Sequence, residues 1–320
     1  MFDRHDVVAV VIGRNEGERL RACLASVQSE VARVIYVDSG SDDGSQALAV
    51  AMGVELVDLP MHLPFTAARA RNVGFAQAAT GTCPPYVQFI DGDCVLQPGW
   101  IETATRFLAA TPHCAVVCGR RRERFPEISV YNRLMDAEWA TRPGRAKACG
   151  GDALVRATAV ASVGGFNADL IAGEEPELCV RLRTRGWSIW RLDQEMTLHD
   201  ADIRSLRQWW QRGRRGGYAY AEGAALHGRA PEFHGIRGLL RSLAWTTTLP
   251  VALGLAWLET PWAMLLLLAW PAQVGRRIFL GDDPEVALFN ALAKIPEAHG
   301  ALTYLLRRVM RRKPCLIEYK

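Results

Sequence analysis

Val7-Val8-Ala9-Val10-Val11-Ile12 is an unbroken apolar run, almost entirely β-branched, and it gives way at once to Gly13-Arg14-Asn15-Glu16. Such side chains favour extended backbone, and a run apolar on both faces of the pleat predicts a strand covered on both sides. Glu16–Val27 follows with Leu20, Cys23, Leu24 and Val27 at helical spacing. The alternation then repeats: strand Val34–Val37, helix Gln46–Met52, strand Val54–Val57, helix Thr66–Ala79, strand Val87–Ile90. Short apolar strands alternating with helices imply right-handed crossovers, and so an α/β fold with a doubly wound, mostly parallel sheet. Ligands of such sheets bind beyond the carboxyl ends of the strands, which directs attention to the residues just after each run.

Those residues are polar and small. They are Gly13-Arg14-Asn15-Glu16, then Asp38-Ser39-Gly40-Ser41-Asp42-Asp43-Gly44, then Asp91-Gly92-Asp93. Asn and Asp also cap helices and fill turns, so each site alone has an ordinary explanation. Three acidic strand ends in succession point instead to a shared edge. Asp91 and Asp93, separated by glycine, suit a hard divalent cation, Mg2+ or Mn2+, which prefers oxygen ligands.

Further along, Cys149-Gly150-Gly151-Asp152 and Gly164-Gly165-Phe166-Asn167 bracket a short helix, and Gly173-Glu174-Glu175-Pro176-Glu177-Leu178 begins another. Acids at a helix start complement its dipole. In a cleft, the same carboxylate takes a proton from an attacking hydroxyl. His199, after Met196-Thr197-Leu198, is a structural histidine or one that completes a carboxylate metal site. Residues 204–217 hold five arginines with Trp209 and Trp210 and no acid. Single-stranded nucleic acid is one use of that composition; clamping a diphosphate or covering a sugar or lipid pocket is another, and fits an acidic metal site better.

The 320-residue chain is 49% hydrophobic and 22% charged, which excludes a disordered protein. Mean hydropathy of +0.00 excludes a polytopic membrane protein. The net charge of +4 is too mild to argue for nucleic acid, and it sits in residues 301–320, where six cations face only Glu318. Eight cysteines without a Cys-x-x-Cys pair argue against a zinc ribbon and for small buried thiols in a reducing compartment. No export signal is visible at the N-terminus, so a cytoplasmic catalytic face is expected.

Ser242–Leu258 and Pro261–Gly275 are charge-free, with Arg237 and Arg241 before them, Arg276 and Arg277 after, and Glu259-Thr260-Pro261 between. Each is short of the roughly 20 residues a span needs. Together they predict an apolar helical hairpin that contacts or crosses the membrane with both ends on the cytoplasmic side; a pair of buried soluble helices is the alternative. Leu302, Leu305, Leu306, Val309 and Met310 form a stripe beside Arg307, Arg308, Arg311 and Arg312, the pattern of a basic amphipathic helix in the headgroup region or packed on the domain.

From about Val7 to Gly217 the order of these elements resembles a bacterial family 2 glycosyltransferase with the Rossmann-like GT-A fold. Val10–Glu16 is similar to the family's opening strand and Asn-Glu turn, with glycine in place of the familiar proline. Val37–Gly44 resembles its V-D-D-G-S-x-D-G loop, and Arg69-Ala70-Arg71-Asn72-Val73-Gly74 its A-R-N-x-G helix start. Asp91-Gly92-Asp93 resembles the metal motif, and Gly173–Leu178 the G-E-D-x-E-L element. The resemblance implies that Glu16, Asp38 and Asp91 hold the nucleoside of a nucleotide-diphosphate sugar, with Arg14, Asn15, Ser39, Asn72 and Gly92 near it and Arg71 approaching the diphosphate. It implies Asp93 as metal ligand, with Asp91 and His199 beside it, and Glu175 as the catalytic base; the family has Asp there, which leaves Glu174 as an alternative. Gly151, Asp152, Trp209, Trp210 and Arg212 fall near the diphosphate or acceptor. The Gln208–Arg212 segment is only loosely similar to the Q-x-x-R-W element of processive synthases.

The implied reaction is inverting, metal-dependent sugar transfer to a hydroxyl acceptor, with a polyprenyl-linked glycan of cell-surface polysaccharide or glycolipid synthesis favoured by membrane proximity. The expected location is the cytoplasmic face of the inner membrane, with lipid contact through residues 236–320 and no nucleic acid. The expected division is a catalytic domain over 1–235, the hairpin over 236–281 and the basic tail over 282–320. The rival readings are a sugar-phosphate nucleotidylyltransferase, which calls for a glycine-rich basic loop after the first strand, and a catalytically silent nucleotide-sugar-binding module.

Overall fold

The computed structural model describes residues 3–60, 62, 65–258 and 261–312. The expected turn residues Glu259 and Thr260, and the tail residues Lys313, Cys315, Glu318 and Lys320, lie outside these. The chain forms two compact units, Met1–Phe125 with Glu138–Ala201, and Pro126–Ala137 with Asp202–Lys320.

The first unit opens with β1 (Val7–Gly13), α1 (Glu18–Gln28), β2 (Arg33–Asp38), α2 (Ser45–Ala51), β3 (Glu55–Asp58), α3 (Ala67–Ala78) and β4 (Tyr86–Asp91), within two residues of the alternation read from the sequence. It continues through β5 (Cys94–Leu96), α4 (Trp100–Ala110) and β6 (Cys114–Glu123). After α5 (Val130–Trp139), which begins in the second unit, come β7 (Gly144–Ala146), β8 (Ala153–Arg156), α6 (Ala157–Ser162), α7 (Glu174–Thr184) and β9 (Ser188–His199). The strands order as β3-β2-β1-β4-β8-β6-β9-β5, with β7 added beside β9. β1 runs parallel to β2 and β4, and β2 to β3. Beyond β4 the sheet turns mixed, because β8 enters antiparallel to both β4 and β6.

Register sets the functional edge. Gly13 lies opposite Asp38, and Ile12 opposite Asp91, so three strand ends come level. On the far side His199 of β9 is flanked by Cys94 of β5 and Glu123 of β6. Every residue of β1 from Val7 to Ile12 is buried. Helix α3 crosses this strand closely: a Cβ on Gly74 would sit 2.3 Å from Val10 Cγ1. Cys23, Cys94, Cys114, Cys118, Cys149 and Cys179 are free, buried thiols, as the scattered spacing implied, while Cys83 is exposed.

The second unit holds α8 (Leu206–His227), α9 (Ile236–Trp257), a 3-10 helix (Pro261–Leu268), α10 (Ala269–Phe279), α11 (Pro284–Leu292) and α12 (Lys294–Val309). The contacts divide the chain at Ala201 instead of 235, because α8 packs backbone to backbone on α12. A Cβ on Gly217 would lie 1.7 Å from the Glu297 carbonyl oxygen, and one on Gly300 would lie 1.8 Å from that of Arg214. The small face of α12, with Ala298, Gly300 and Ala301 buried, makes this contact. The Leu302, Leu305, Leu306, Val309 and Met310 stripe is exposed. Among the described residues α9 is the one helix long and apolar enough to cross a membrane. The second arm of the expected hairpin is interrupted, a 3-10 helix passing into α10. Trp270 donates to the Thr248 hydroxyl (2.8 Å) and stacks edge-on with Trp245, while Trp257 and Trp262 are exposed.

Gly217 and Gly216 test the helix contact directly. Gly217→Ala has backbone in its way and should lower the melting midpoint by on the order of 5 °C through overpacking. Gly216→Ala meets nothing within 4 Å, and should be neutral or raise the midpoint slightly through helix propensity.

Candidate active site

The loops after β1 and β2 are joined by hydrogen bonds. Asn15, in the left-handed region at φ 56, donates its N–H to Ser41 Oγ (2.9 Å), and its Oδ1 accepts the Asp42 N–H (2.9 Å). Gly17 donates to Asp43 (2.9 Å), and Ser39 to the Gly13 carbonyl (3.0 Å). Asp38 is fully buried at the centre of this loop. It accepts from the Tyr36 and Ser41 hydroxyls, the Gly40 and Ser41 amides and Gln46 Nε2, all between 2.5 and 2.9 Å. Burial alone would raise its carboxyl; the donors, led by Gln46 and Ser41, prevail and hold it below the ordinary carboxylate value. Asp38 therefore shapes the loop with both oxygens. Glu16 pairs with Arg19 (2.9 Å) and lies along Gly92, where a Cβ would be 3.3 Å from its Cγ. The exposed Arg14 guanidinium lies 4.8 Å from the Phe65 ring centroid.

Arg71 of α3 is the hub of the edge. Its side chain is 1% exposed and contacts Asp91 (2.8 Å), Glu174 (2.8 Å) and Glu175 (3.2 Å). Three carboxylates raise its basicity against the opposing effect of burial. Gly151 makes room for this cluster, since a Cβ there would sit 2.7 Å from Asp91 Oδ2 and 3.0 Å from Arg71 Nη2. Glu174 and Glu175 open α7 behind Gly173, which takes the left-handed conformation at φ 77. Burial first, and then the neighbouring Glu174, push the Glu175 carboxyl up to about 7, with Arg71 acting in opposition. Glu177, by contrast, forks onto Arg181 one turn on (2.7 Å) and serves the helix. Asn72 is also committed to the fold: its amide donates to the Phe166 carbonyl (2.7 Å) and accepts the Phe166 N–H (2.8 Å).

Asp91 and Asp93, the two acids of the D-x-D spacing, fall in two different side-chain groups. The chain turns at Gly92–Asp93 between β4 and β5, which breaks the pleat. Asp91 then groups with Asp152 and Cys94, and Asp93 with His199 and Cys94, the ligand atoms of each set lying within 4.8 Å of one another. Asp93 Oδ2 is 3.2 Å from His199 Nε2, and Glu123 is 3.7 Å from His199 Nδ1. Burial, followed by the Arg121 charge, lowers the His199 pKa and favours the neutral imidazole a cation requires. Burial raises the Cys94 thiol well above its ordinary value and keeps it protonated. The oxygen and nitrogen pair therefore fits a hard divalent cation better than the sulfur. Asp152 is a scaffold acid here, accepting from the Asp91 N–H (3.0 Å) and the Thr197 hydroxyl (2.8 Å).

Trp209, Trp210 and Arg212 belong to α8 of the second unit. Trp209 is buried against Tyr131 and Phe289, and Trp210 donates to His299 Nδ1 (3.4 Å). Two residues of the edge escaped sequence reasoning. Arg121 stands 3.5 Å from Asp91 and 3.6 Å from Asp152, with its guanidinium 4.8 Å from the Trp139 ring centroid. Trp139 in turn meets His199 edge-on at 4.7 Å. The one available signal was Arg120-Arg121-Arg122 at the end of an apolar strand.

Residues 8–157 match the sequence profile of Glycosyl transferase family 2. The chain is 28% identical over 217 residues to the pre-mycofactocin glycosyltransferase of Mycobacterium tuberculosis, covering 64% of this chain and 44% of that protein. It is 24% identical over 273 residues to the succinoglycan biosynthesis protein ExoA of Rhizobium meliloti, covering 80% and 75%. The chain thus spans less than half the length of the mycobacterial relative. Its fold is similar to the mannosyltransferase PcManGT from Pyrobaculum calidifontis, solved with GDP-Man and Mn2+, with a TM-score of 0.56 at 19% identity over 96% of this chain and 86% of that one. It is also similar to glucosyl-3-phosphoglycerate synthase from Mycobacterium tuberculosis, solved with Mn2+, UDP-glucose and phosphoglyceric acid, with a TM-score of 0.50 at 20% identity over 68% and 79%. The matched segment, residues 8–157, is thus similar to glycosyltransferase family 2, and the fold around it is of the GT-A kind.

Proposed function

We propose that the protein transfers a sugar from a nucleoside-diphosphate sugar to an acceptor hydroxyl with inversion, using Glu175 as general base. The observation that carries this is a carboxyl held near neutrality beside the Arg71–Asp91 pair. A base with a pKa close to the working pH is ionised often enough to act and basic enough to take a hydroxyl proton. Glu175 is favoured over Glu174 because Glu174 is committed to Arg71 at 2.8 Å and is the more buried of the two. The two structural relatives solved with Mn2+ and nucleotide sugars support the same donor class and cation.

In this reading Asp93 and His199 hold Mg2+ or Mn2+, with the Glu123 carboxylate 3.7 Å from the other imidazole nitrogen. The bound cation supplies neutralisation of the diphosphate as negative charge grows on the leaving group. Arg121, anchored over Trp139, faces the same phosphates, and Trp139 shields His199 from water. The Asp38 loop, with Glu16, Ser39 and Arg14, walls the nucleoside side. The family 2 match over residues 8–157 and the intact acidic set disfavour both the nucleotidylyltransferase and the silent binding module.

For the acceptor we propose a lipid-linked glycan, polyprenyl-linked in class, reached from the cytoplasmic face of the membrane. The support is α9 and the segment after it, where Leu249, Val251, Leu253, Leu255 and Leu265 are all exposed, and a relative named for succinoglycan biosynthesis. Residues 236–281 then form the membrane-associating part of the chain.

Two variants separate the roles. Asp93→Ala should abolish the Mn2+-dependent thermal shift seen with GDP or UDP, while Glu175→Gln should keep it; normal Mn2+ binding by Asp93→Ala would remove that residue from the site. Glu175→Gln should lower transfer by about 10²–10⁴-fold. Because the folded Glu175 pKa lies above its ordinary value, wild-type kcat/KM should rise with pH through about 7. The unfolded chain releases that proton at lower pH, so its stabilising contribution is lost as pH rises through the same range. Glu175→Gln should consequently melt higher than wild type at pH 8 and not at pH 4.5.

A further inference from the structure

The second unit contains a charged cleft apart from the edge described above. Arg237 and Arg241 stand one turn apart on the first turns of α9. With Gly238, Tyr220 of α8 and Lys294 and Glu297 of α12 they line a cleft of about 360 Å3. Inside it Lys294 and Glu297 neutralise each other, the ammonium bonded to both carboxylate oxygens. Among the described residues Arg237 and Arg241 have no carboxylate partner, so the cleft keeps two uncompensated guanidinium charges. Gly235 caps α9 with no side-chain hydrogen bond, and the positive end of this 22-residue helix adds to the same turn.

Arg241 and Lys294 also border an adjoining recess floored by Trp245 and Trp270. The helix then leaves the cleft as an apolar rod: Leu249 is 50% exposed, Val251 48% and Leu253 51%. Cations at one end and exposed aliphatic surface along the rest match an amphiphile whose head is a phosphate. A nucleic acid would meet aliphatic residues where its next phosphates fall.

We propose that this cleft binds the phosphate headgroup of a membrane lipid, held by the forks of Arg237 and Arg241, with the acyl chains along the exposed face of α9. The proposal rests on the reading that residues 236–281 associate with the membrane.

The test uses the full chain and co-sedimentation with vesicles of phosphatidylcholine alone or mixed with phosphatidylglycerol. The wild type should partition more strongly onto the mixed vesicles. Arg237→Ala/Arg241→Ala should lower that partition by roughly tenfold or more and retain its binding to phosphatidylcholine. Arg276→Ala/Arg308→Ala removes the same charge outside the cleft and should have a clearly smaller effect. Equal losses in the two double variants would mean delocalised attraction and overturn the headgroup site while leaving membrane association standing. Displacement of the protein from mixed vesicles by inorganic phosphate at matched ionic strength would assign the cleft to free phosphate and overturn the lipid. Failure of the wild type to bind either vesicle would overturn the membrane reading and the site with it.

Discussion

The buried Arg71 guanidinium constrains the whole reactive edge. A charge at 1% exposure is tolerated only with partners, and Arg71 draws them from the end of β4 and the start of α7, 20 and 103 residues away. Removing a closely paired partner such as Asp91 or Glu174 typically costs about 3–5 kcal/mol, because the guanidinium stays buried. The positions of α3, β4 and α7 are thus tied to one cation. The same pairing leaves more negative than positive charge. Asp91, Glu174 and Glu175 share Arg71, and Arg121 reaches Asp91 only at 3.5 Å. The excess falls on Glu175, where burial is not fully compensated, and its carboxyl is held near 7. Packing and the raised Glu175 pKa are here two consequences of one unbalanced cluster.

The first half of the fold was legible because its signals are local. An apolar run such as Val7–Ile12 or Val87–Ile90 specifies a doubly covered strand without reference to the rest of the chain. Beyond β4 such signals are weaker, Cys114–Cys118 of β6 being an exception. β7 and β8 are only three and four residues long, and the β6–β9 pairing has register irregularities. Their places follow from antiparallel pairing with strands far away in sequence, which periodicity does not encode. The packing of α8 on α12 was not legible for a related reason: Gly217 and Gly300 look like helix-weakening residues until their partner helix is known.

Motif residues proved to be of two kinds. Asp38, Asn15 and Asn72 stand in the most recognisable positions, yet their polar atoms hold neighbouring backbone and side chains. They build the rim that a ligand would meet. In the proposed reaction Glu16, Asp93, His199 and Glu175 are the residues assigned to ligand, cation and proton. Arg121 and Trp139 complete that group, but an arginine on a sheet edge and a tryptophan at a helix end have no spacing rule to reveal them. Only the spatial succession in which Trp139 touches both Arg121 and His199 does so.

The turn at Gly92–Asp93 explains why two carboxylates a single residue apart behave differently. Asp91, the last residue of β4, faces cations and is bound into the Arg71 cluster. Asp93, past the turn, faces a histidine whose pKa is lowered by burial and by the Arg121 charge. The first environment stabilises fixed negative charge within the protein; the second presents an anionic oxygen and a neutral nitrogen together, the combination that accepts a metal ion. Arg121 serves both, since its charge offsets Asp91 and Asp152 while favouring neutral His199. In the proposed reaction, a glycine turn at the end of one strand places the Glu175–Arg71–Asp91 cluster and the Asp93–His199 pair at separate points of one sheet edge. The register of β5, β6 and β9 sets His199 between Cys94 and Glu123.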